Sequence, residues 1–487
     1  MINSGRFPAM DAERKRWIEM KYKENHRVRS RYAPEKNSCI AFVDFLLVVA
    51  GFMLTAILLS GNWQSAVQMP LAETIVVLLS GVFAVLFFWG FEMYSAILLK
   101  PYPIVVTAIL SAIYTMILTF FVVFLFSRTT EDLWFLVVGN VVSFFLLGVW
   151  HIGLYYYYKK WTRRPRMLMV ERLTDDNSRV RRLKYEVMTH YDAWYEHVNV
   201  DDKECVQEFI EKVLPDYDVI CLMETIPFDI RNMFMEAGLQ MNKEFYVVPM
   251  AYEMNFAKVK LSYLDDVMVF HLRPTRISPV NLLLKRAMDI VISFVALAVA
   301  LIPMCIIAVL IKATSPGPVF YKQLRLTKDK KEFYIFKFRS MVQDAEKKTG
   351  PALATKDDPR ITKVGKWLRK LRLDELPQLI NILKGDMSIV GPRPERPFFV
   401  EKYEKEIPNY EKRFMMKAGL TALSHVYGRY STDIVDRTHY DLLYVQSYSL
   451  LTDIRIMLLT SRTLFLKDAA EGVVTVDRRE TAKQNAK

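Results

Sequence analysis

Residues 285–312 read KRAMDIVISFVALAVALIPMCIIAVLIK, an apolar run from Ala287 to Ile311 between basic ends. The run is long enough to span a bilayer, which takes about 20 apolar residues. Lys285 and Arg286 precede it, and Lys312, Lys322, Arg325 and Lys328 follow it. Basic residues gather on the inner side of a membrane, so a basic flank at both ends opposes a full crossing. Pro303 sits inside the run and lacks the N–H that a helix interior requires, which favours a break there. The two facts predict a re-entrant helix-break-helix over 287–311 that enters and leaves by one face. A kinked spanning helix is the alternative. Irregular backbone at membrane depth needs protein or water partners, so a soluble body is expected beneath it.

Upstream lie four more apolar stretches, Ile40–Ser60, Thr74–Leu99, Ile104–Phe126 and Leu133–Tyr157. Each is near or above spanning length. Arg14, Lys15, Arg16, Arg27, Arg29 and Arg31 precede the first, Lys100 separates the second from the third, and Lys159, Lys160, Arg163 and Arg164 follow the fourth. The other two loops hold only Arg128. Both ends of this four-helix unit are therefore expected on the cytoplasmic side. Asp44 and Glu92 read as carboxylates that snorkel or pair between helices. Residues 1–38 are polar and basic and show no removable signal segment.

Between the two apolar regions, 161–276 reads as a small Rossmann-like α/β domain. Met167–Val170, Val219–Met223 and Tyr246–Pro249 have the character of buried strands, and Cys205–Leu214 and Ile230–Leu239 that of amphipathic helices. No glycine-rich phosphate loop follows Val170, where the chain reads Glu-Arg-Leu-Thr. A regulatory or oligomerisation role fits better than a nucleotide site. Residues 467–487 are a polar tail.

The chain of 487 residues is 52% hydrophobic yet 24% charged, which fits membrane segments joined to soluble parts. Its net charge of +13 suits an anionic membrane surface or phosphate-bearing substrates. Nucleic acid is a poor fit, because the basic residues lie beside membrane segments or beside carboxylates. Cys39, Cys205, Cys221 and Cys305 have neither disulfide nor metal spacing.

The chemistry concentrates in 371–385, LRLDELPQLINILKG. Leu376, Leu379, Ile380 and Leu383 recur at helical spacing, and Gly385 is a natural stop. Asp374 falls at the expected N-cap, where free N–H groups and the helix dipole hold a carboxylate ionised. Such a group suits attack on phosphorus or a share in a magnesium site. By itself the segment also reads as an ordinary capped helix. Arg393 stands between two prolines in Gly391-Pro-Arg-Pro394, a stiff setting suited to phosphate recognition. Alternation in Phe333–Arg339 puts Lys337 and Arg339 on one strand face. With Arg369 and Arg429, these residues suggest one basic pocket around the carboxylate pair.

The chain resembles the bacterial polyprenyl-phosphate hexose-1-phosphate transferases in their long form. The resemblance rests on Lys285-Arg-Ala-Met-Asp289, Ser315-Pro-Gly-Pro-Val-Phe320, Lys337-Phe-Arg-Ser-Met341, Leu373-Asp-Glu-Leu-Pro377, Lys384-Gly-Asp-Met-Ser388 and Gly391-Pro-Arg-Pro394. It implies a bacterial inner-membrane, multi-pass enzyme with its catalytic domain on the cytoplasmic face. The implied reaction passes a sugar 1-phosphate from a UDP-sugar, with galactose or glucose favoured, to undecaprenyl phosphate through a phosphosugar-aspartyl intermediate. Asp374 is the implied nucleophile, and Glu375 its orienting partner or a co-ligand with it for Mg2+. Arg369, Arg393 and Arg429 are implied near the phosphates, with Lys285 and Arg286 toward the lipid phosphate. Asp441 and Asp453 match family positions without a clear role, and Pro303 matches the family's helix-breaking Ser-Pro, here Ile302-Pro303. Lys417-Ala-Gly-Leu-Thr-Ala-Leu-Ser-His425 departs from the family's Lys-Pro-Gly-Ile-Thr-Gly-Leu-Ala-Gln.

The expected architecture is membrane α plus α/β. It comprises a basic segment (1–38), four transmembrane helices (39–160), the α/β domain (161–276) and a mainly α catalytic domain with the re-entrant helix (277–466). The bilayer is a partner, and the membrane unit and α/β domain offer surfaces for a homodimer. A non-catalytic scaffold of a polysaccharide assembly complex is the competing expectation; it has no need of the carboxylate pair.

Overall fold

The computed structural model describes residues 34–64, 68–94, 101–126, 131–161, 166–172, 192–198, 203–249, 253, 260–264, 267–271, 277–342, 358, 360–428 and 433–465. It divides into two compact units, Met1–Val247 and Val248–Lys487.

The first unit opens with four helices, α1 (Pro34–Ser60), α2 (Leu71–Gly90), α3 (Pro101–Phe126) and α4 (Glu131–Trp161). All four are long and apolar enough to cross a membrane by length and composition. Helices in lipid associate by close packing of small residues rather than by the hydrophobic effect. Gly51 provides such a contact: a Cβ there would lie 2.4 Å from the Ser143 Oγ. Ser143 donates across the same interface to the Val48 carbonyl at 3.0 Å. Asp44 is buried and is bonded to His151 Nε2 at 3.0 Å, so its partner is a histidine on another helix. The second apolar stretch was expected to stay helical to Leu99, but α2 ends at Gly90. Glu92 turns left-handed there (φ 58°), and the Met93 N–H reaches back to the Phe88 carbonyl at 2.8 Å. Residues 95–100 lie outside the described residues.

A four-stranded parallel sheet completes this unit: β1 (Arg166–Arg172), β2 (Asp192–Val198), α5 (Lys203–Lys212), β3 (Val219–Leu222), α6 (Phe228–Gln240) and β4 (Glu244–Val247). The strand order is β2-β1-β3-β4. Leu168, Val170, Ile220 and Leu222 form its core with Phe209 and Phe234 from the two helices. The sequence reading missed β2 and placed the last strand two residues late. Both are edge strands, which lack the continuous apolar run of the buried centre.

In the second unit, β5 (Lys260–Leu264) and β6 (Val267–His271) form an antiparallel pair. Then comes α7 (Pro279–Thr314), 36 residues with Pro303 inside. The expected break at Pro303 is absent, and the helix is continuous. Its packing explains this. Leu282, Ala296 and Leu297 join the soluble core, and Leu297, Ala300, Met304, Ile307 and Ile311 pack with Phe338 and Leu368. These positions recur at helical spacing, so one stripe is held along almost the whole helix. The loss of a single hydrogen bond at Pro303 does not part the two halves. The other side exposes Leu283, Val291, Phe294, Val295, Val299 and Ile302.

The remainder is β7 (Phe320–Leu326), β8 (Glu332–Phe338), α8 (Lys363–Lys370), α9 (Gln378–Lys384), β9 (Ser388–Val390), α10 (Pro397–Glu406), β10 (Gly419–Thr421), α11 (Leu423–Val426), α12 (Ile434–Ser447) and α13 (Leu450–Phe465). β7 and β8 form a hairpin, and β9 and β10 a short parallel pair.

Candidate active site

Asp374 and Glu375 stand on a 3-10 turn, Leu373–Glu375, that joins α8 to α9. Arg372 enters it with left-handed backbone (φ 54°). Leu373 and Leu376 fix the turn against Phe338 and Leu368. Asp374 was expected to cap α9. Instead Pro377 is the N-cap, without a side-chain bond. Of the N–H groups a cap at Asp374 would use, Pro377 has none and Leu376 already donates to the Leu373 carbonyl at 3.3 Å.

Freed from capping, the two carboxylates diverge in character. Asp374 is buried, and burial followed by the Glu375 charge pushes it up to about 6, against the pull of Lys337 and Arg369. Its ionised form is therefore disfavoured rather than held, the reverse of the N-cap expectation. At Glu375 burial also opposes the charge, but Lys337, Arg393 and Arg372 outweigh it and keep the carboxyl far below the usual range. Lys337 Nζ lies 2.8 Å from Glu375 Oε1. Neighbouring acids driven apart in this way are suited to separate chemical roles.

Asn381 keeps the lysine in place. It accepts from the Phe336 N–H at 3.0 Å and donates to the Tyr334 carbonyl at 2.8 Å, stitching α9 to β8 just before the strand position that carries Lys337. Arg393 is held at its backbone. Arg413 donates to the Arg393 carbonyl at 2.7 Å, Arg325 to the Pro394 carbonyl at 2.9 Å and the Gly419 N–H to the Pro392 carbonyl at 3.0 Å. The guanidinium of Arg393 meets His425 Nε2 at 2.6 Å.

The Gly391–Gly419 crossing beneath this turn admits no side chain. A Cβ on Gly419 would come within 2.1 Å of the Gly391 nitrogen. Gly419→Ala is expected to lower stability by about 3 kcal/mol or more, read as a fall in the thermal midpoint, with activity lost in parallel.

The structure thus brings Asp374, Glu375, Lys337, Arg369 and Arg393 together. It does not bring the other expected residues there. The Arg339 guanidinium binds the Ser315 and Pro316 carbonyls, each at 2.7 Å, because β8 ends at Phe338 and the next residue meets the C-terminal end of α7. Lys285 is buried among Asp453 Oδ2 (2.6 Å), the Val390 carbonyl (2.8 Å) and the Tyr444 hydroxyl (3.2 Å). Arg286 caps the end of α9 at the Ile382 and Leu383 carbonyls, 2.6 and 2.8 Å away. A buried cation must be paired, as Lys285 is, and the half-buried Arg286 is likewise occupied by the fold. Asp453 thus serves Lys285, and Asp441 serves Arg413. Pro303 lies on α7, and Arg429 lies outside the described residues. Sequence reasoning missed Arg372, Arg413 and His425. Arg372 lies two residues before Asp374 and was legible by position; His425 stood out only as the last residue of a departing motif, and Arg413 acts across long sequence separations and left no local signal.

Magnesium needs one or two carboxylates and completes its shell with phosphate oxygens and water. Asp374 and Glu375 fit that share, since two adjacent acids already repel one another there. Among the described residues no group of three or more His, Cys, Asp or Glu side chains could hold a metal ion. A metal at this pair would therefore rely on substrate oxygens.

Residues 280–467 match the profile of the family described as Bacterial sugar transferase. Over 210 residues the chain is 41% identical to the UDP-N-acetylgalactosamine-undecaprenyl-phosphate N-acetylgalactosaminephosphotransferase of Aeromonas hydrophila, covering 42% of this chain and 49% of that one. It is 40% identical over 230 residues to the UDP-glucose:undecaprenyl-phosphate glucose-1-phosphate transferase of Escherichia coli (strain K12), covering 46% and 49%. It is 43% identical over 185 residues to the exopolysaccharide production protein PSS of Rhizobium leguminosarum bv. phaseoli, covering 36% of this chain and 92% of the relative. The matched region spans about half the length of the first two relatives.

Proposed function

This chain belongs to the bacterial sugar transferase family, and we propose that it transfers a sugar 1-phosphate from a UDP-sugar to undecaprenyl phosphate in two displacements. The observation that carries the reading is the buried Asp374 beside a Glu375 already neutralised by Lys337. Asp374 attacks the β-phosphorus of the UDP-sugar. The bond from that phosphorus to the bridging oxygen breaks, and UMP leaves with the electron pair. An oxygen of undecaprenyl phosphate then attacks the same phosphorus, and the aspartyl bond breaks to give undecaprenyl-diphospho-sugar. Lys337 and Glu375 hold the turn that aims Asp374, while Arg369 and Arg393 offset phosphate charge. Mg2+ held by Asp374 and Glu375 would neutralise diphosphate charge.

The reading extends to the membrane. Because one stripe of α7 meets the same soluble body near both ends, its ends belong on one side of the bilayer, and its exposed apolar side suits lipid. This supports a continuous helix that lies along the cytoplasmic face with its apolar side in the leaflet, rather than a crossing. The basic Lys159 and Lys160 at the end of α4 support the same side for the chain that follows.

The relatives are named for glucose in one case and N-acetylgalactosamine in another. The test is purified full-length protein in lipid, with magnesium, undecaprenyl phosphate and one UDP-sugar at a time from glucose, galactose and N-acetylgalactosamine. UMP release with at least one of them is expected. Silence across all three overturns the transferase reading.

A further inference from the structure

We infer that His425 is a positioning residue that holds the Arg393 guanidinium over the carboxylate pair and so sets how well the sugar-nucleotide phosphates are gripped. The inference rests on the transferase reading for its substrate and on local geometry for the pairing itself.

Arg393 Nη1 lies 2.6 Å from His425 Nε2. Every guanidinium nitrogen can only donate, so Nε2 must be the acceptor and carry no proton. His425 is therefore neutral in this arrangement, with its proton on Nδ1. Its surroundings agree: burial first, then Arg393 and Arg372, hold its pKa well below the usual value, against a weaker opposite pull from Glu375, and Arg437 adds to the lowering.

A long arginine side chain on a rigid backbone still has free torsions. The Pro392-Arg393-Pro394 backbone is fixed by Arg413, Arg325 and Gly419. Among the described residues, the one hydrogen bond of the Arg393 side chain is that to His425. One nitrogen is thereby spent on orientation, which leaves the rest of the fork to meet an anion. The charge of Arg393 already reaches Glu375, so the fork is near the reacting pair. His425 itself is the third residue of the four-residue α11, whose first two residues are buried, so the acceptor is as fixed as the donor's backbone.

The experiment compares His425→Leu, which removes the acceptor, with His425→Gln, whose amide oxygen restores one. UMP release and equilibrium affinity for UDP are measured for each, alone and combined with Arg393→Ala. The leucine variant is expected to lose about 10- to 100-fold in kcat/KM for the UDP-sugar, the range for a hydrogen bond to a charged group. Most of the loss should fall on KM and on UDP affinity. Glutamine should recover most of it. In the Arg393→Ala background the leucine change should cost little more, since the two side chains act as one unit. Equal losses for leucine and glutamine, or a full leucine loss on top of Arg393→Ala, overturn the inference. A leucine variant that matches the wild type overturns it while leaving the transferase reading in place. If the wild type itself releases no UMP, that reading fails, and the pairing is judged from UDP affinity alone.

Discussion

Asp374→Asn is expected to reduce UMP release about ten-thousandfold or more, the scale of loss when a covalent nucleophile is removed. The amide keeps the shape of the side chain and cannot form the aspartyl bond. The same change should leave the fold intact and its thermal midpoint no lower than that of the wild type. Asp374 is buried beside Glu375, and both burial and that charge oppose its ionised form. Removing one of two crowded negative charges relieves the site instead of damaging it. The combination is diagnostic, because a residue that merely supported the turn would lose activity and stability together. Quench-flow or radiolabel detection of UMP, set beside a thermal melt in lipid, reads both quantities. Wild-type turnover by the asparagine variant would sink the mechanism.

Lys285→Met carries the largest expected loss of stability. Its ammonium is buried between Asp453, the Val390 carbonyl and the Tyr444 hydroxyl. Removing one partner of a buried ion pair strands the other charge, at a cost of about 3–5 kcal/mol. For a unit of this size the midpoint should fall by roughly 10 °C. Asp453 already feels burial strongly enough that its pKa is raised despite Lys285. The added change Asp453→Leu should therefore restore much of the loss, as replacement of a whole buried pair by apolar groups often does. If Lys285 instead met the lipid phosphate, Lys285→Met would cut transfer to lipid with an unchanged melt. The two outcomes separate the structural role from the role that the family resemblance implied.

How much was legible depended on how local each signal was. The four membrane helices declared themselves by composition alone, because an apolar run of spanning length has few other uses. The centre of the small sheet was legible for the same reason, while the edge strand at Asp192–Val198 was hidden by its charged and aromatic residues. In the second unit the acidic pair and Arg393 were visible as residue types in a stiff setting. Their electrostatics were not, because burial of Asp374 and the Lys337–Glu375 contact join positions 38 residues apart. Lys285 shows the limit most clearly. Its motif was plain in the sequence, yet its meaning lay in Asp453, 168 residues away. Pro303 misled for a related reason: a local rule favoured a break, and packing along the neighbouring stripe overrode it.

The bare flank of α7 has a kinetic side. On the proposed reaction, a body laid against a lipid leaflet by the side of one helix meets its two substrates in spaces of different dimension. The water-borne nucleotide sugar arrives from three dimensions, whereas the long isoprenoid is found by lateral search within a sheet. The second search is governed by surface density, so dilution of the lipid carrier among other lipids, not the volume of the suspension, should set the pace of the second displacement.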